Sequence, residues 1–140
     1  MNYYDEIKCR LIKSEIYDRI NTYKKDTNKV DSYYEIGRLL FNAGKEYGKN
    51  IIHEYSEKLS FELGKTFKDR LLFRIRQFYI TFSNEKLSAL RTQLSWKHYK
   101  KLISLKNIDE IKYYIYLCID NYAIEYSSDD RIISREYMII

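Results

Sequence analysis

The chain has 140 residues, long enough for one self-sufficient core and too short for two, so a single domain over 1–140 is expected. Its 25 Lys and Arg outnumber 20 Asp and Glu, for a net charge of +5, and the absence of proline with only four glycines excludes a turn-rich β-sandwich, collagen-like repeats and proline-rich linkers. An all-α fold follows: a compact multi-helix domain.

Taken in chain order, residues 3–25 place Ile7, Leu11, Ile12, Ile16 and Ile20 at spacings of three to five, one apolar stripe on a first helix. Asp26, Thr27, Asn28 and Lys29 read as a polar break, with Asp31 or Ser32 capping a second helix through Tyr33, Ile36, Leu39, Leu40 and Phe41. Gly44 and Gly48 bracket an expected turn. A third helix over 49–63, burying Ile52, Tyr55, Leu59 and Leu63, is expected to stop at Gly64. The segment from Phe67 to Phe82 then repeats Leu71, Leu72, Ile75, Phe78, Tyr79 and Phe82 at helical spacing as a buried face. Arg70, Arg74 and Gln77 lie on another side, with Lys68 and Arg76 beside them. Two helices joined by Gly64-Lys65-Thr66 match a helix-turn-helix outline over 49–82. Ser95 is a natural cap for a helix with Tyr99, Leu102 and Ile103 inward. Trp96 reads as a packing anchor and His98 as structural. Asn107 caps a last helix whose stripe is Ile111, Tyr114, Ile115, Cys118 and Ile119. The apolar end of the chain, Tyr137-Met138-Ile139-Ile140, is expected to dock on the domain or on a second subunit.

The charge is unevenly spread. Residues 1–63 are neutral overall and residues 102–140 net −3, whereas residues 64–101 hold ten basic side chains against Asp69 and Glu85, a net +8. Such a block reads either as a footprint for a polyanion, because neutralised phosphates supply the sequence-independent part of nucleic-acid affinity, or as a solvated basic face. Arginine and glutamine suit phosphates and base edges. The candidate contact residues are therefore Lys65, Lys68, Arg70, Arg74, Arg76 and Gln77, with Lys97, Lys100 and Lys101 holding the backbone.

Other functions find little footing. Cys9 and Cys118 lie far apart with no CxxC spacing and read as buried free thiols; no metal and no cofactor are expected. His53 and His98 are 45 residues apart, no nucleophile has a readable base, and no glycine-rich phosphate loop is present. Glu110-Ile111-Lys112 is formally an acid-x-Lys triplet but falls in an expected helix. The chain is read as non-enzymatic. No apolar run reaches the roughly 20 residues that cross a bilayer. Asn2 to Glu6 do not resemble a basic signal peptide, so a cytoplasmic protein with no membrane partner is expected. The abundance of Ile, Lys, Asn and Tyr fits an AT-rich bacterial genome or mobile element.

Several short stretches carry a resemblance. Tyr34-Glu35-Ile36-Gly37-Arg38, Tyr47-Gly48-Lys49, Leu59-Ser60-Phe61, Gly64-Lys65-Thr66-Phe67, Arg74-Ile75-Arg76-Gln77-Phe78-Tyr79 and Leu94-Ser95-Trp96-Lys97-His98-Tyr99 follow one another in a family-specific order. In that order and spacing the chain resembles, over about residues 7–120, the N-terminal domain of YhcG-type PD-(D/E)XK nucleases (domain of unknown function 1016). The resemblance implies a helix-turn-helix module that binds DNA, here without the nuclease domain. Lys68 stands where the family has a small polar residue and Leu71 where it has asparagine, and Ser134-Arg135-Glu136-Tyr137 only echoes a family motif, so residues 123–140 read as a diverged C-terminal segment.

Two functions emerge. The first is a non-catalytic DNA-binding module. The second is a protein-interaction or regulatory module of a mobile element, pairing with itself as a homodimer or with a host defence or nuclease complex. Sixteen tyrosines favour the second, with Tyr3, Tyr4, Tyr113, Tyr116 and Tyr122 as expected exposed contacts.

Overall fold

In the structure, a computed structural model, residues 2–20, 25–91 and 93–124 are described, with backbone alone at 17–20, 25–28 and 120–124. Six α-helices and one short 3-10 turn make up the regular structure of these residues, with no strand among them. The helices are α1 (Tyr3–Ile20), α2 (Lys25–Tyr47), α3 (Asn50–Leu63), α4 (Asp69–Phe82), α5 (Trp96–Leu102) and α6 (Ile108–Ile124), with the 3-10 turn at Ser88–Leu90 before α5.

Helix α2 is the central element. Val30, Tyr33, Ile36, Leu39, Leu40 and Ala43 are all buried. At 100° per residue they cover about half of its circumference, wider than the roughly 100° stripe of a surface helix. It packs against α4 and α1, with α3 and α5 completing the enclosure. Each of its fully buried Leu or Ile side chains contributes on the order of 1.5–3 kcal/mol by removal from water.

The α2–α4 packing is tight because α2 presents a glycine. A Cβ on Gly37 would lie 2.8 Å from Cβ of Tyr79 and press on the carbonyl group of Ile75. Helix α4 answers with Leu72, Ile75, Phe78 and Phe82, all fully buried. Phe78 is the hub of an aromatic cluster, its ring centroid 5.9 Å from Tyr34, 5.1 Å from Phe82, 5.5 Å from Trp96 and 5.0 Å from Tyr99. Trp96 also meets Tyr33 edge-on at 5.0 Å, so it is the packing anchor its sequence context predicts.

Several boundaries differ from the sequence expectation. Asp26 to Lys29 do not break the chain; they lie inside α2, which starts at Lys25 without help from Asp31 or Ser32. Isolated Asp, Thr or Asn residues cost a helix only about 0.7 kcal/mol or less each relative to alanine, which the packing downstream outweighs. Gly44 is likewise helical, and only Gly48, at φ 91°, ends α2. The first helix is described over Tyr3–Ile20, its expected continuation through 21–24 and the Ile20 side chain lying outside the described residues, and it buries Tyr4, Ile7, Leu11 and Ser14, leaving Ile12 and Ile16 exposed. Helix α4 begins at Asp69, two residues later than expected, and Leu71 and Tyr79 are only partly covered. In α6, Ile111, Ile115 and Leu117 are buried while Cys118 is half-buried, its thiol pushed up by that burial. Cys9 is exposed, contrary to the expectation of a buried thiol, because it faces away from the Tyr4–Ile7–Leu11 side of α1. Of the tyrosines expected outside, Tyr113 and Tyr116 are exposed, Tyr3 is half-buried and Tyr4 is buried. The Tyr122 side chain and residues 125–140, including the expected apolar dock, lie outside the described residues.

Candidate nucleic-acid interface

The linker between α3 and α4 is residues 64–68, and hydroxyl groups from α3 hold it. Gly64 ends α3 in the left-handed region at φ 63°, the conformation glycine adopts most readily. The chain then returns so that Phe67 is buried, its N–H donating to Ser60 Oγ at 2.8 Å while the Ser56 hydroxyl donates to the Phe67 carbonyl. Ser60 Oγ in turn donates to the Ser56 carbonyl at 2.8 Å. Lys68 follows in extended conformation at the N-cap of α4 and Asp69 starts the helix, its carboxylate accepting from the Arg70 N–H at 2.9 Å. His53 of α3 reaches across to the same Asp69 carboxylate at 3.5 Å and to Glu57 at 3.1 Å.

The outward side of α4 carries the candidate residues in two groups. Arg70, Arg74 and Gln77 recur at i, i+4 and i+7 on one flank, with Thr81 next in the series, bonded by Gln77 Nε2 at 3.2 Å. Arg70 and Gln77 are exposed and Arg74 half-buried. Arg76 is not beside them: two residues from Arg74, it points to the opposite edge, where its guanidinium lies 5.9 Å from the centre of the Phe41 ring of α2. Lys65, on the linker, is pulled toward α1 by an ion pair with Glu15 at 2.8 Å and lies over the Phe67 ring.

Helix α5 supplies the other lysines. Trp96, Tyr99 and Leu102 are its buried side, so Lys97, Lys100 and Lys101 stand on the outward side, all exposed. Phe78 and Phe82 seat α5 on the C-terminal half of α4, so its lysines and the Arg70–Arg74 flank are set at different heights along α4. The loop entering α5 hangs on Tyr99. Its buried hydroxyl donates to the Leu90 carbonyl and accepts the N–H groups of Gln93 at 2.9 Å and Leu94 at 3.1 Å. Burial pushes that hydroxyl up to about 12. Ser95 takes the N-cap position but contacts Nδ1 of His98 at 2.9 Å instead of a backbone N–H. Asn107 caps α6 as expected, accepting from Asp109 at 2.9 Å and Glu110 at 3.1 Å.

A groove of about 470 Å³ continues the Arg70–Arg74–Gln77 flank. Gln77, Thr81 and Asn84 line one wall, and Ser104 and Lys106 the other, over apolar side chains that include Ile80. Lys106 escaped the sequence reading because it lies beyond the basic block; only the folding of 103–108 back toward α4 brings it to Gln77.

The electrostatics divide the surface. Lys8 is paired with Glu62 at 2.6 Å, Arg10 with Glu6 at 3.7 Å and Arg38 with Glu35 at 3.0 Å. Among the described residues, by contrast, no carboxylate lies within ion-pair distance of Lys68, Arg70, Arg74, Lys97, Lys100 or Lys101. No group of three or more His, Cys, Asp and Glu among those residues is arranged to hold a metal ion, and no helix is long and apolar enough to cross a membrane. Glu110 and Lys112 lie on α6, on either side of the buried Ile111.

A family model, the DUF1016 N-terminal domain, matches residues 10–135. No curated protein and no solved structure matches the chain.

Proposed function

The chain belongs to the DUF1016 N-terminal domain family, and from that premise we propose that it is a non-catalytic DNA-binding module whose contact surface is the uncompensated cationic side of α4 and α5. The supporting observation is that Lys68, Arg70, Arg74, Lys97, Lys100 and Lys101, all on α5 or at the start and flank of α4, have no carboxylate partner among the described residues, whereas Lys8, Arg10 and Arg38 on α1 and α2 are paired. Unpaired cations held on rigid helices release counterions from a polyanion on binding, which is the main source of sequence-independent affinity. In this reading α3, the 64–68 linker and α4 act as a helix-turn-helix-like unit. Arg70, Arg74 and Gln77 are offered to the duplex, Lys68 takes a phosphate at the start of α4, and the α5 lysines hold the backbone farther along. Arg76 and Lys65, engaged with Phe41 and Glu15, contribute less. The module works where DNA is, in the bacterial cytoplasm.

Fluorescence anisotropy with unrelated duplex and single-stranded probes across a salt series tests this. The logarithm of the affinity should fall linearly with log salt, with a slope reporting several phosphate contacts. No binding to either probe at low salt removes the reading.

Tyr113 and Tyr116, exposed on α6, favour a second reading, in which the module pairs with itself or with a host protein complex. Concentration-dependent self-association lost on replacing both tyrosines with serine would support it.

A further inference from the structure

The groove of about 470 Å³ between the end of α4 and the 103–108 segment falls in the size range of ligand clefts. Two kinds of side chain line it. Ile80, Ile103 and Ile108, each partly covered, supply an apolar floor, while Gln77, Thr81, Asn84, Ser104 and Lys106 supply polar walls. No carboxylate is among the lining residues.

The polar groups hold hydrogen-bonding capacity in reserve. Asn84 Oδ1 accepts the Lys86 N–H at 2.9 Å, which leaves both N–H groups of the Asn84 amide without a partner among the described residues. Gln77 donates one N–H to Thr81 at 3.2 Å and keeps its other N–H and its carbonyl oxygen. Ser104 donates its hydroxyl to the Lys101 carbonyl at 2.7 Å and can still accept. Lys106 is exposed, with no carboxylate within ion-pair distance among the described residues. Amides above an apolar floor suit the edge and the face of a nucleobase, and a free lysine suits its phosphate.

Shape decides which base. The edges of paired bases lie recessed in the grooves of DNA, where a convex helix or ribbon reaches them and a cleft does not. A cleft receives a base that stands out from the stack, its face against apolar side chains and its edge hydrogen-bonded. The groove is continuous with the arginine flank: Gln77 belongs to both, and Arg70 to Gln77 spans about 10 Å along α4, about three base-pair steps. We propose that the groove takes one unpaired base of a duplex bound along Arg70 and Arg74, with Gln77 and Asn84 at the base edge and Lys106 on its phosphate. The assignment rests on the DNA reading and adds the class of DNA preferred, a duplex with an extrahelical nucleotide, which enters without the cost of breaking a pair.

The test uses the full chain and short fluorescein-labelled duplexes of three kinds: fully paired, with one unpaired adenine at the centre, and with the same extra position lacking its base. Anisotropy should show the adenine probe bound about three- to tenfold more tightly than the paired one, and the baseless probe less tightly than the adenine probe. The salt slope for the adenine probe should exceed that for the paired duplex by about 0.9, the extra phosphate at Lys106. Lys106→Ala should remove that difference in slope. Asn84→Ser, which keeps an acceptor for the Lys86 N–H, should bring the adenine preference within about twofold of none. Both variants should bind the paired duplex as the parent does, which also reports that they fold. Equal binding of paired and adenine probes, an adenine preference kept in both variants, or equal binding of adenine and baseless probes would each overturn the proposal and leave the DNA reading standing. No binding to any probe would remove both.

Discussion

Gly37 of α2 lies against the main chain of Ile75 of α4, with no room for a side chain between them. The contact explains why a glycine occurs in the middle of the central helix, where it costs about 1 kcal/mol relative to alanine. It lets the two helices with the most extensive mutual packing approach closely, and it sets how Phe78 and the cationic flank of α4 are presented.

Replacing Gly37 with alanine should therefore destabilise the fold. The new methyl group meets a backbone carbonyl and the root of Tyr79, neither of which is a flexible side-chain end. Overpacking of this kind costs about 1–3 kcal/mol and outweighs the helix-propensity gain. Urea unfolding monitored by circular dichroism reads the difference. A midpoint at or above the parent's would show that the helices can separate at little cost.

Tyr99→Phe isolates one hydroxyl. The ring packing with Phe78 and Phe82 is retained, but the Leu90 carbonyl and the N–H groups of Gln93 and Leu94 lose their shared partner. Partnerless buried polar groups cost about 1–3 kcal/mol each, less where water reaches them. A loss of that order is expected in urea, together with faster amide exchange at Gln93 and Leu94. Unchanged exchange at both amides would refute the role assigned to the hydroxyl.

Much of this was legible in the sequence, and the rest was not for identifiable reasons. Leu72, Ile75, Phe78 and Phe82 follow from period 3.6, Gly64 from the need for a positive φ at a helix end, and Asn107 from capping chemistry. The side of α1 that turns inward was implicit in the helical period: at 100° per residue Tyr4, Leu11 and Ser14 lie within about 60° of Ile7, whereas Ile12 and Ile16 lie about 140° and 180° from it, and residue type alone suggested a single isoleucine stripe. Arg76 is a similar case. Its separation from Arg70 and Arg74 was implicit in the helical period, and charge density alone hid it. The partners of Tyr99 and the approach of Lys106 to Gln77 depend on loops with no periodic signal.

Alkaline pH should destabilise the domain from the point at which free tyrosine begins to titrate. Tyr99 is pushed up to about 12 by burial, and Tyr34 and Tyr55 are raised, also chiefly by burial. In the unfolded chain each titrates near 10. The folded state thus holds these protons more tightly, so their contribution is complete below about pH 10 and is lost as pH rises toward 12. Thermal midpoints should be flat from pH 7 to about 9.5 and fall above 10. Tyr99→Phe should start lower and fall less steeply. Parallel curves for parent and variant would remove Tyr99 from the account.

Ser60→Ala tests the linker. Ser60 Oγ is the acceptor for the Phe67 N–H, and its loss leaves that half-buried amide with no partner among the described groups, while Ser56 still holds the Phe67 carbonyl. A cost of about 1–2 kcal/mol is expected, with DNA affinity reduced further than stability alone requires because Lys68 and Asp69 lose their fixed approach to α4. A stable variant with parental DNA affinity would mean that the linker needs no such tether.

The cationic flank predicts a contrast between arginines only six residues apart or fewer. Arg70 and Arg74 share a side of α4 and have no carboxylate partner among the described residues, whereas Arg76 lies over Phe41 on the other edge. If DNA lies along the Arg70 side, the Arg70→Ala/Arg74→Ala double variant loses two phosphate contacts, and the slope of log affinity against log salt becomes shallower by about 1.8. Arg76→Ala, with the same charge change per residue, should leave the slope within about 0.5 of the parent. Net charge alone would give losses in proportion to the number of arginines removed, wherever they lie. Equal slopes in the double variant and the parent would place DNA elsewhere, and a loss in Arg76→Ala as large as half that of the pair would replace the oriented flank with a diffuse basic surface.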